Sequence, residues 1–211
     1  GIFQYHQAKV LTKKHNVVII SPVVLSIKDY FKTHKEYSRY SLNEIEVMKV
    51  RGEPERFHAK SIVIASGSIP RMPDNIPVDH ENIFDSDSIL TMLYLPRSLT
   101  VLGGGVIASE YASIFQALGV KVTMIDRYPL PLGFMDADLT STFVESFREM
   151  GGTWLGEKNV TKVEWDGLSQ VITHCEDGTV VKSAKLLCAA GRMANVQDLH
   201  LENAGLKVNE M

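Results

Sequence analysis

The stretch that most limits what this chain can fold into is residues 98–126, SLTVLGGGVIASEYASIFQALGVKVTMID. It reads as strand, glycine turn, helix, strand. A short apolar run at 99–102 leads straight into Gly103-Gly104-Gly105. Helical spacing then predicts one apolar face made of Ile107, Tyr111, Ile114, Phe115 and Leu118. Residues 120–125 form a second strand, and Asp126 stands at its C-terminal end. The order fits the dinucleotide-binding pattern G-x-G-x-x-G/A, with Gly103, Gly105 and Ala108 in the small positions. Gly103 permits the tight turn out of the strand, with Gly104 completing it. Gly105 lets a pyrophosphate approach the backbone, and Ala108 keeps helix and strand close. The helix start at Val106 and Ile107 offers unpaired N–H groups and a positive dipole end to phosphates. Asp126 follows Gly105 by about 20 residues, the spacing of an acid that accepts hydrogen bonds from a ribose. A tight turn with no ligand is the plain alternative, and it leaves the terminal acid unexplained.

Further elements extend this unit. Pro129, Pro131 and Gly133 bend the chain. Asp136 can cap a helix whose predicted apolar face is Leu139, Phe143, Phe147 and Met150. Residues 153–155 read as a third strand. Residues 161–165, 170–175 and 179–181 read as a meander, with turns at Asp166-Gly167 and Asp177-Gly178. Residues 185–190 are a further buried strand that ends in Gly191-Arg192. The order β-α-β-α-β-meander-β predicts a doubly wound α/β domain over 97–194, with a central parallel sheet, a β-meander and flanking helices. Upstream, strands are predicted at 17–20, 23–27 and 44–50, with a turn at 52–54. Residues 29–41 read as a polar, aromatic loop. The run 61–65 reads as a buried strand, turned by Ser66-Gly67-Ser68. Ser86 can cap a short helix over 87–93.

Composition narrows the function classes. A net charge of −3 over 211 residues gives no case for nucleic acid or an anionic membrane. No apolar run is long enough for a transmembrane helix, and no secretory signal precedes the first strand. Two cysteines, Cys175 and Cys188, are too few for a disulfide framework, which fits a cytoplasmic location. The seven histidines form no HExxH or other metal spacing, and G-x-S-x-G is absent, so no metal site and no serine nucleophile are expected. The chain starts at Gly1 and stops at Met211 with no closing element, so an internal fragment is expected.

Several motifs together resemble the flavin-dependent pyridine nucleotide-disulfide oxidoreductases. Residues 62–70, IVIASGSIP, resemble the strand and turn that close their FAD domain. Residues 103–112, GGGVIASEYA, resemble their NAD(P) fingerprint, Glu110 included. Ala190-Gly191-Arg192 with Asn195 resembles their return motif, with Ala194 in place of the usual proline. Within that class, residues 79–90 and EYASIF at 110–115 are similar to the soluble (Si-specific) pyridine nucleotide transhydrogenases. The similarity runs from about residue 57 to about 206.

The resemblance implies an FAD enzyme that moves hydride between NADPH and NAD, both nucleotides using one site in turn. Gly103, Gly105 and Ala108 would cradle the pyrophosphate, and Glu110 would lie near the nicotinamide. Asp126 would meet the adenosine ribose, Gly191 would line the crevice, and Ser66 and Gly67 would approach the FAD. Residues 1–96 would be the end of the FAD-binding domain and a linker, 97–194 the NAD(P)-binding domain, and 195–211 a return segment. A homo-oligomeric parent is implied.

Three departures bear on this. Ala108 stands where the family usually has glycine. Asp126 favours NAD because an acid repels a 2′-phosphate, whereas Arg127 could pair with that phosphate; a solvated Arg127 is the alternative. There is no second GxGxxG, no C-x4-C pair and no interface domain, so the chain carries no catalytic residue of its own and is expected to be inactive alone. Two other readings stay open: a dihydrolipoyl dehydrogenase or related disulfide reductase, and a non-catalytic NAD-binding redox-sensing module.

Overall fold

A computed structural model describes residues 40–41, 44–47, 55–59 and 62–208. The strands predicted at 17–20 and 23–27, most of the 29–41 loop and the turn at 52–54 lie outside these residues. The chain divides into two compact units, residues 1–67 with 195–211, and residues 68–194.

In the first unit, β1 (Tyr40–Ser41), β2 (Glu44–Val47) and β3 (Glu55–His58) form an antiparallel sheet in that order. The predicted strand at 44–50 is thus present as β2 over 44–47, and 48–50 lie outside the described residues. The predicted buried strand at 61–65 is not found over its described part. Residues 62–67 are irregular, Val63 is 87% exposed and Ile64 42%. A β-branched run becomes a strand only where partners flank it, and no described strand pairs with these residues.

The second unit begins with β4 (Ser68–Pro70) and β5 (Ile83–Asp85). Then come β6 (Ser98–Leu102), α1 (Val106–Ala117), β7 (Lys121–Ile125), α2 (Ala137–Glu149) and β8 (Thr153–Leu155). The meander is β9 (Val160–Trp165), β10 (Val171–Cys175) and β11 (Val180–Ser183), followed by β12 (Lys185–Cys188) and β13 (Arg192–Ala194). Five strands form one parallel sheet in the order β5-β12-β6-β7-β8. The sheet therefore takes its edge strand from upstream of residue 97, where sequence reading placed a linker.

The sheet is buried on both faces, as parallel sheets are. Phe84, Leu99, Val101, Val122, Met124 and Leu187 pack with α1 and α2. Their neighbours Ile83, Leu102, Ile125, Leu186 and Cys188 pack with Val163, Val171 and Cys175 of the meander. The period-2 alternation assigns each side chain to a layer. Thr100, fully buried, donates to Ser183 Oγ at 2.8 Å, and Ser183 Oγ donates to the Lys185 carbonyl, so the polar group in the sheet interior is satisfied.

Both helices bury a stripe that overlaps the predicted one only in part: Phe115 and Phe147 are buried, and Tyr111 and Phe143 pack half-buried against the core. In α1 the buried residues are Ala108, Ser109, Ala112, Phe115 and Gln116, while Ile114 is 53% and Leu118 56% exposed. In α2 they are Thr140, Val144 and Phe147, with Leu139 and Met150 exposed. The segment over 87–93 is a single 3-10 turn, Ser88–Thr91, preceded by Asp87 rather than capped by Ser86. Asp85 organises it: its Oδ1 accepts N–H bonds from Asp87 at 2.9 Å and Ser88 at 2.7 Å.

Candidate functional site

The fingerprint turn lies at the C-terminal end of β6, between β7 on one side and β12 on the other. That is where the strand order reverses, the place at which open α/β sheets bind ligands. Three backbone bonds build the floor. Gly103 N–H donates to the Ile125 carbonyl at 2.8 Å, Ala189 N–H donates to the Leu102 carbonyl at 2.9 Å, and Asp126 N–H donates to the Leu155 carbonyl at 3.1 Å. The ends of four neighbouring strands are thereby held together.

The three glycines meet different constraints. Gly103 has φ +114, and a Cβ there would sit 2.5 Å from the Ala189 carbonyl oxygen. Glycine is required at that position by the backbone and by the neighbouring strand. A Cβ on Gly104 would lie 3.0 Å from the Trp154 ring and 3.2 Å from the Asp126 carboxyl carbon. Gly105 has extended backbone, φ −80 and ψ −176, and a Cβ there would meet nothing within 4 Å. It is exposed and immediately precedes α1, whose N-terminus has no side-chain cap. The first intrahelical bond runs from Ser109 N–H to the Gly105 carbonyl, so the amides of Val106, Ile107 and Ala108 have no partner within the helix. Val106 is exposed, Ile107 is half-buried and Ala108 is fully buried.

Asp126, half-buried, stands beside Gly104. Its Oδ1 accepts the Tyr128 N–H at 2.8 Å. Arg127 is exposed, and its guanidinium lies 4.8 Å from the centre of the Tyr128 ring. The segment after β7 is fastened at several points. Lys158 N–H donates to the Asp126 carbonyl at 2.9 Å, the Trp154 indole N–H to the Pro129 carbonyl at 2.9 Å, and Leu132 N–H to the Gly104 carbonyl at 2.7 Å. Leu132 adopts φ +53 to make that last bond.

Glu110 projects from the second turn of α1 and is exposed. Gly191 follows β12 with φ +109 and open space where a Cβ would be. Gly103, Gly104, Gly105, Val106, Ile107, Ala108, Glu110, Asp126, Arg127 and Gly191 thus all belong to the second unit. Ser66 and Gly67 belong to the first, where their carbonyls accept the Asn195 side-chain and backbone N–H groups at 3.4 and 2.9 Å.

A polar cluster beside the crevice escaped the sequence reading of site residues. Arg192 donates to Ser68, Ser86 and Asp87, and the Tyr111 hydroxyl donates to the Ser86 carbonyl at 3.2 Å. Partial burial works against ionisation of Asp85, but the Ser88 and Asp87 N–H groups, the Ser88 hydroxyl and His80 outweigh it. Its carboxyl is held below the ordinary carboxylate value. Burial pushes the Cys188 thiol up, with the Asp85 charge adding to the effect. Cys188 and Cys175 are both buried and free.

Comparison with known proteins places the chain. A family model described as pyridine nucleotide-disulphide oxidoreductase matches residues 6–211. The soluble pyridine nucleotide transhydrogenase of Pseudomonas putida is 40% identical over 166 residues, which is 78% of this chain and 35% of that protein. The Colwellia psychrerythraea protein of the same name is 38% identical over 165 residues, with the same coverage. Among solved structures, the HOCl-induced flavoprotein disulfide reductase RclA from Escherichia coli matches with a TM-score of 0.71 at 28% identity, over 82% of this chain and 39% of that one. LpdA from Mycobacterium tuberculosis matches with a TM-score of 0.73 at 27% identity, over 79% of this chain and 36% of that one. The chain spans about a third of the length of the curated relatives it matches.

Proposed function

The chain belongs to the pyridine nucleotide-disulphide oxidoreductase family, and from that premise we propose that residues 68–194 are the NAD(P)-binding part of an FAD-dependent transhydrogenase. Residues 1–67 and 195–211 then belong to its FAD-binding part. The parent moves hydride between NADPH and NAD, and bound FAD supplies the two-electron relay that lets both nucleotides use one site in turn. The observation that carries the reading is Gly105. It combines extended backbone, the N-terminus of α1, unobstructed space on its Cβ side and a place at the sheet's switch point. A pyrophosphate fits such a cradle because its charge meets unpaired N–H groups and the helix dipole.

In this reading Gly103 shapes the turn, and the backbone around Gly104, Gly105, Val106, Ile107 and Ala108 holds the pyrophosphate. Asp126 keeps Oδ2 for a ribose hydroxyl while Oδ1 holds the Tyr128 N–H. Arg127, laid over Tyr128, supplies the positive charge that a 2′-phosphate needs. Glu110 and Gly191 face the nicotinamide end, and Ser66 and Gly67 approach the flavin.

A titration of this chain with NADH and, separately, NADPH tests the assignment. Binding of both is expected. Binding of NADH alone would favour a disulfide reductase of the dihydrolipoyl dehydrogenase kind, a reading to which the names of the structural neighbours lend weight. Binding of neither would overturn the site. In the longer protein a yellow preparation is expected; a colourless one that binds nucleotide would make this a non-catalytic sensing module.

A further inference from the structure

The two units are joined at two places, between residues 67 and 68 and between 194 and 195. Both connections run into the same feature of the second unit. β4 and β13 pair antiparallel, Ser68 with Ala194 and Arg192 with Pro70, and they pair with no other described strand. An isolated ribbon of two three-residue strands has little stability of its own. Gly67 and Gly191, with φ +77 and +109, flank it. Something has to fix the ribbon to the body of the unit.

We infer that Arg192 does this: it is a positioning residue that locks the connecting ribbon to the C-terminal end of the parallel sheet, and flavin reduction in the parent depends on that lock. The inference rests on the function proposed above. Arg192 Nε donates to Ser68 Oγ at 2.8 Å and Nη2 to the Ser68 carbonyl at 2.6 Å, which ties β13 to the first residue of β4. Nη1 donates to Ser86 Oγ at 2.9 Å and to Asp87 Oδ1 at 2.6 Å, and Nη2 reaches Asp87 Oδ2 at 3.4 Å. Those two residues belong to the turn after β5.

That turn is itself rigid. Asp85 holds its amides, and Tyr111 of α1 donates to the Ser86 carbonyl. The Arg71 N–H donates to the Gly191 carbonyl at 2.9 Å alongside. One guanidinium therefore reaches both strands of the ribbon and the loop anchored on α1 and β5. Only arginine offers five donors in a fixed fork. None of its bonds goes to the glycine turn or to Asp126, so nucleotide affinity does not depend on it. Transfer rate does, because a shift of about 1 Å arising far from the chemistry can cost roughly a hundredfold.

The test uses the longer parent protein with its flavin. Arg192→Lys keeps the charge and loses the fork; Asp87→Asn keeps the shape and loses the partner's charge. In Arg192→Lys, amide exchange at Arg71 and Met193 is expected to quicken by about tenfold or more. NADH affinity is expected to stay within about threefold, and flavin reduction at saturating NADH to slow by roughly tenfold to a hundredfold. Asp87→Asn is expected to shift the same readouts in the same direction by less, and the double variant to lose less than the sum of the two.

Unchanged exchange would refute the lock. Quickened exchange with unchanged flavin reduction would refute its role in transfer. An equal loss of affinity and rate would make Arg192 part of the nucleotide site and overturn the proposal. A wild-type protein without flavin would sink the functional reading and the transfer role with it, and the exchange measurement would still decide on the lock.

Discussion

At the residue scale, two glycines two positions apart in one motif do different work. Gly103 answers to the protein itself: its φ is positive and its missing Cβ makes room for the Ala189 carbonyl. Gly105 answers to nothing in the chain, since its backbone suits any residue and the space beside it is open. Gly103→Ala is therefore expected to destabilise the fold by about 2–4 kcal/mol through strain and the clash. Gly105→Val is expected to leave urea stability within about 0.5 kcal/mol and to abolish nucleotide binding. A Gly105→Val variant that binds NADH normally would end the site assignment. Asp126→Ala is expected to weaken NADH by roughly tenfold or more, the worth of a hydrogen bond to a charged group, and NADPH by less. Asp126→Asn serves as control because it keeps an acceptor for the Tyr128 N–H. The reverse ranking of nucleotides would mean that Asp126 does not meet the ribose. The motif alone pointed to the glycines and the acid, because their spacing is set by backbone geometry. It could not reveal Arg192's network, whose partners lie more than a hundred residues away in the chain.

At the element scale, β6, β7, β9, β10 and β12 and the meander turns were legible because apolar runs and Asp-Gly pairs act locally, whereas the like run at 61–65 forms no strand over its described part. Asp166 shows how: its Oδ1 accepts from Leu168, Ser169 and Gln170, closing the turn by itself. Helix facing was legible only in part. Reading by hydrophobicity selects the bulky residues of α1, yet the helix lies so close to β6 that a Cβ on Gly103 would be 3.7 Å from Ala108 Cβ. Small residues are what such an approach admits, so Ala108 and Ala112 face the sheet and Ile114 and Leu118 face away. In α2 the buried Thr140 looked polar from sequence, but its hydroxyl donates to the Ala137 carbonyl within its own turn. Ala112→Leu is accordingly expected to cost about 1–3 kcal/mol by overpacking. Ile114→Ala is expected to change stability by under about 0.5 kcal/mol. Urea unfolding of the two variants checks the facing, and a larger loss at Ile114 would contradict it.

At the scale of the whole molecule, the titrating groups bound the pH range in which the nucleotide-binding unit is stable. Asp79, partly buried, is held below its ordinary value because the Ile83, Asn82 and Glu81 N–H groups outweigh the desolvation that opposes them; Asp85 is held down in the same way. Asp177, paired with Lys158 and capping Thr179, is pushed down to about 2. A depressed carboxylate contributes stability that is complete above its unfolded value, about 4, and is lost as pH falls through its folded value. Burial raises both thiols, Cys175 and Cys188. Their contribution is complete below the unfolded thiol value of about 8.5 and is lost as pH rises through the folded one. Stability is thus expected to be level from about pH 5 to 8, to fall in acid below about 4 and to fall again in alkali. The chain's two tryptophans, Trp154 and Trp165, both belong to the second unit, so their fluorescence follows its unfolding. Asp85→Asn keeps an acceptor for the Asp87 and Ser88 amides and removes the charge. Urea midpoints measured from pH 3 to 7 should therefore show a shallower acid limb in that variant than in the wild type. Parallel limbs would mean that Asp85 titrates alike in the folded and unfolded chain, and that the turn holding Ser86 and Asp87 does not depend on its charge.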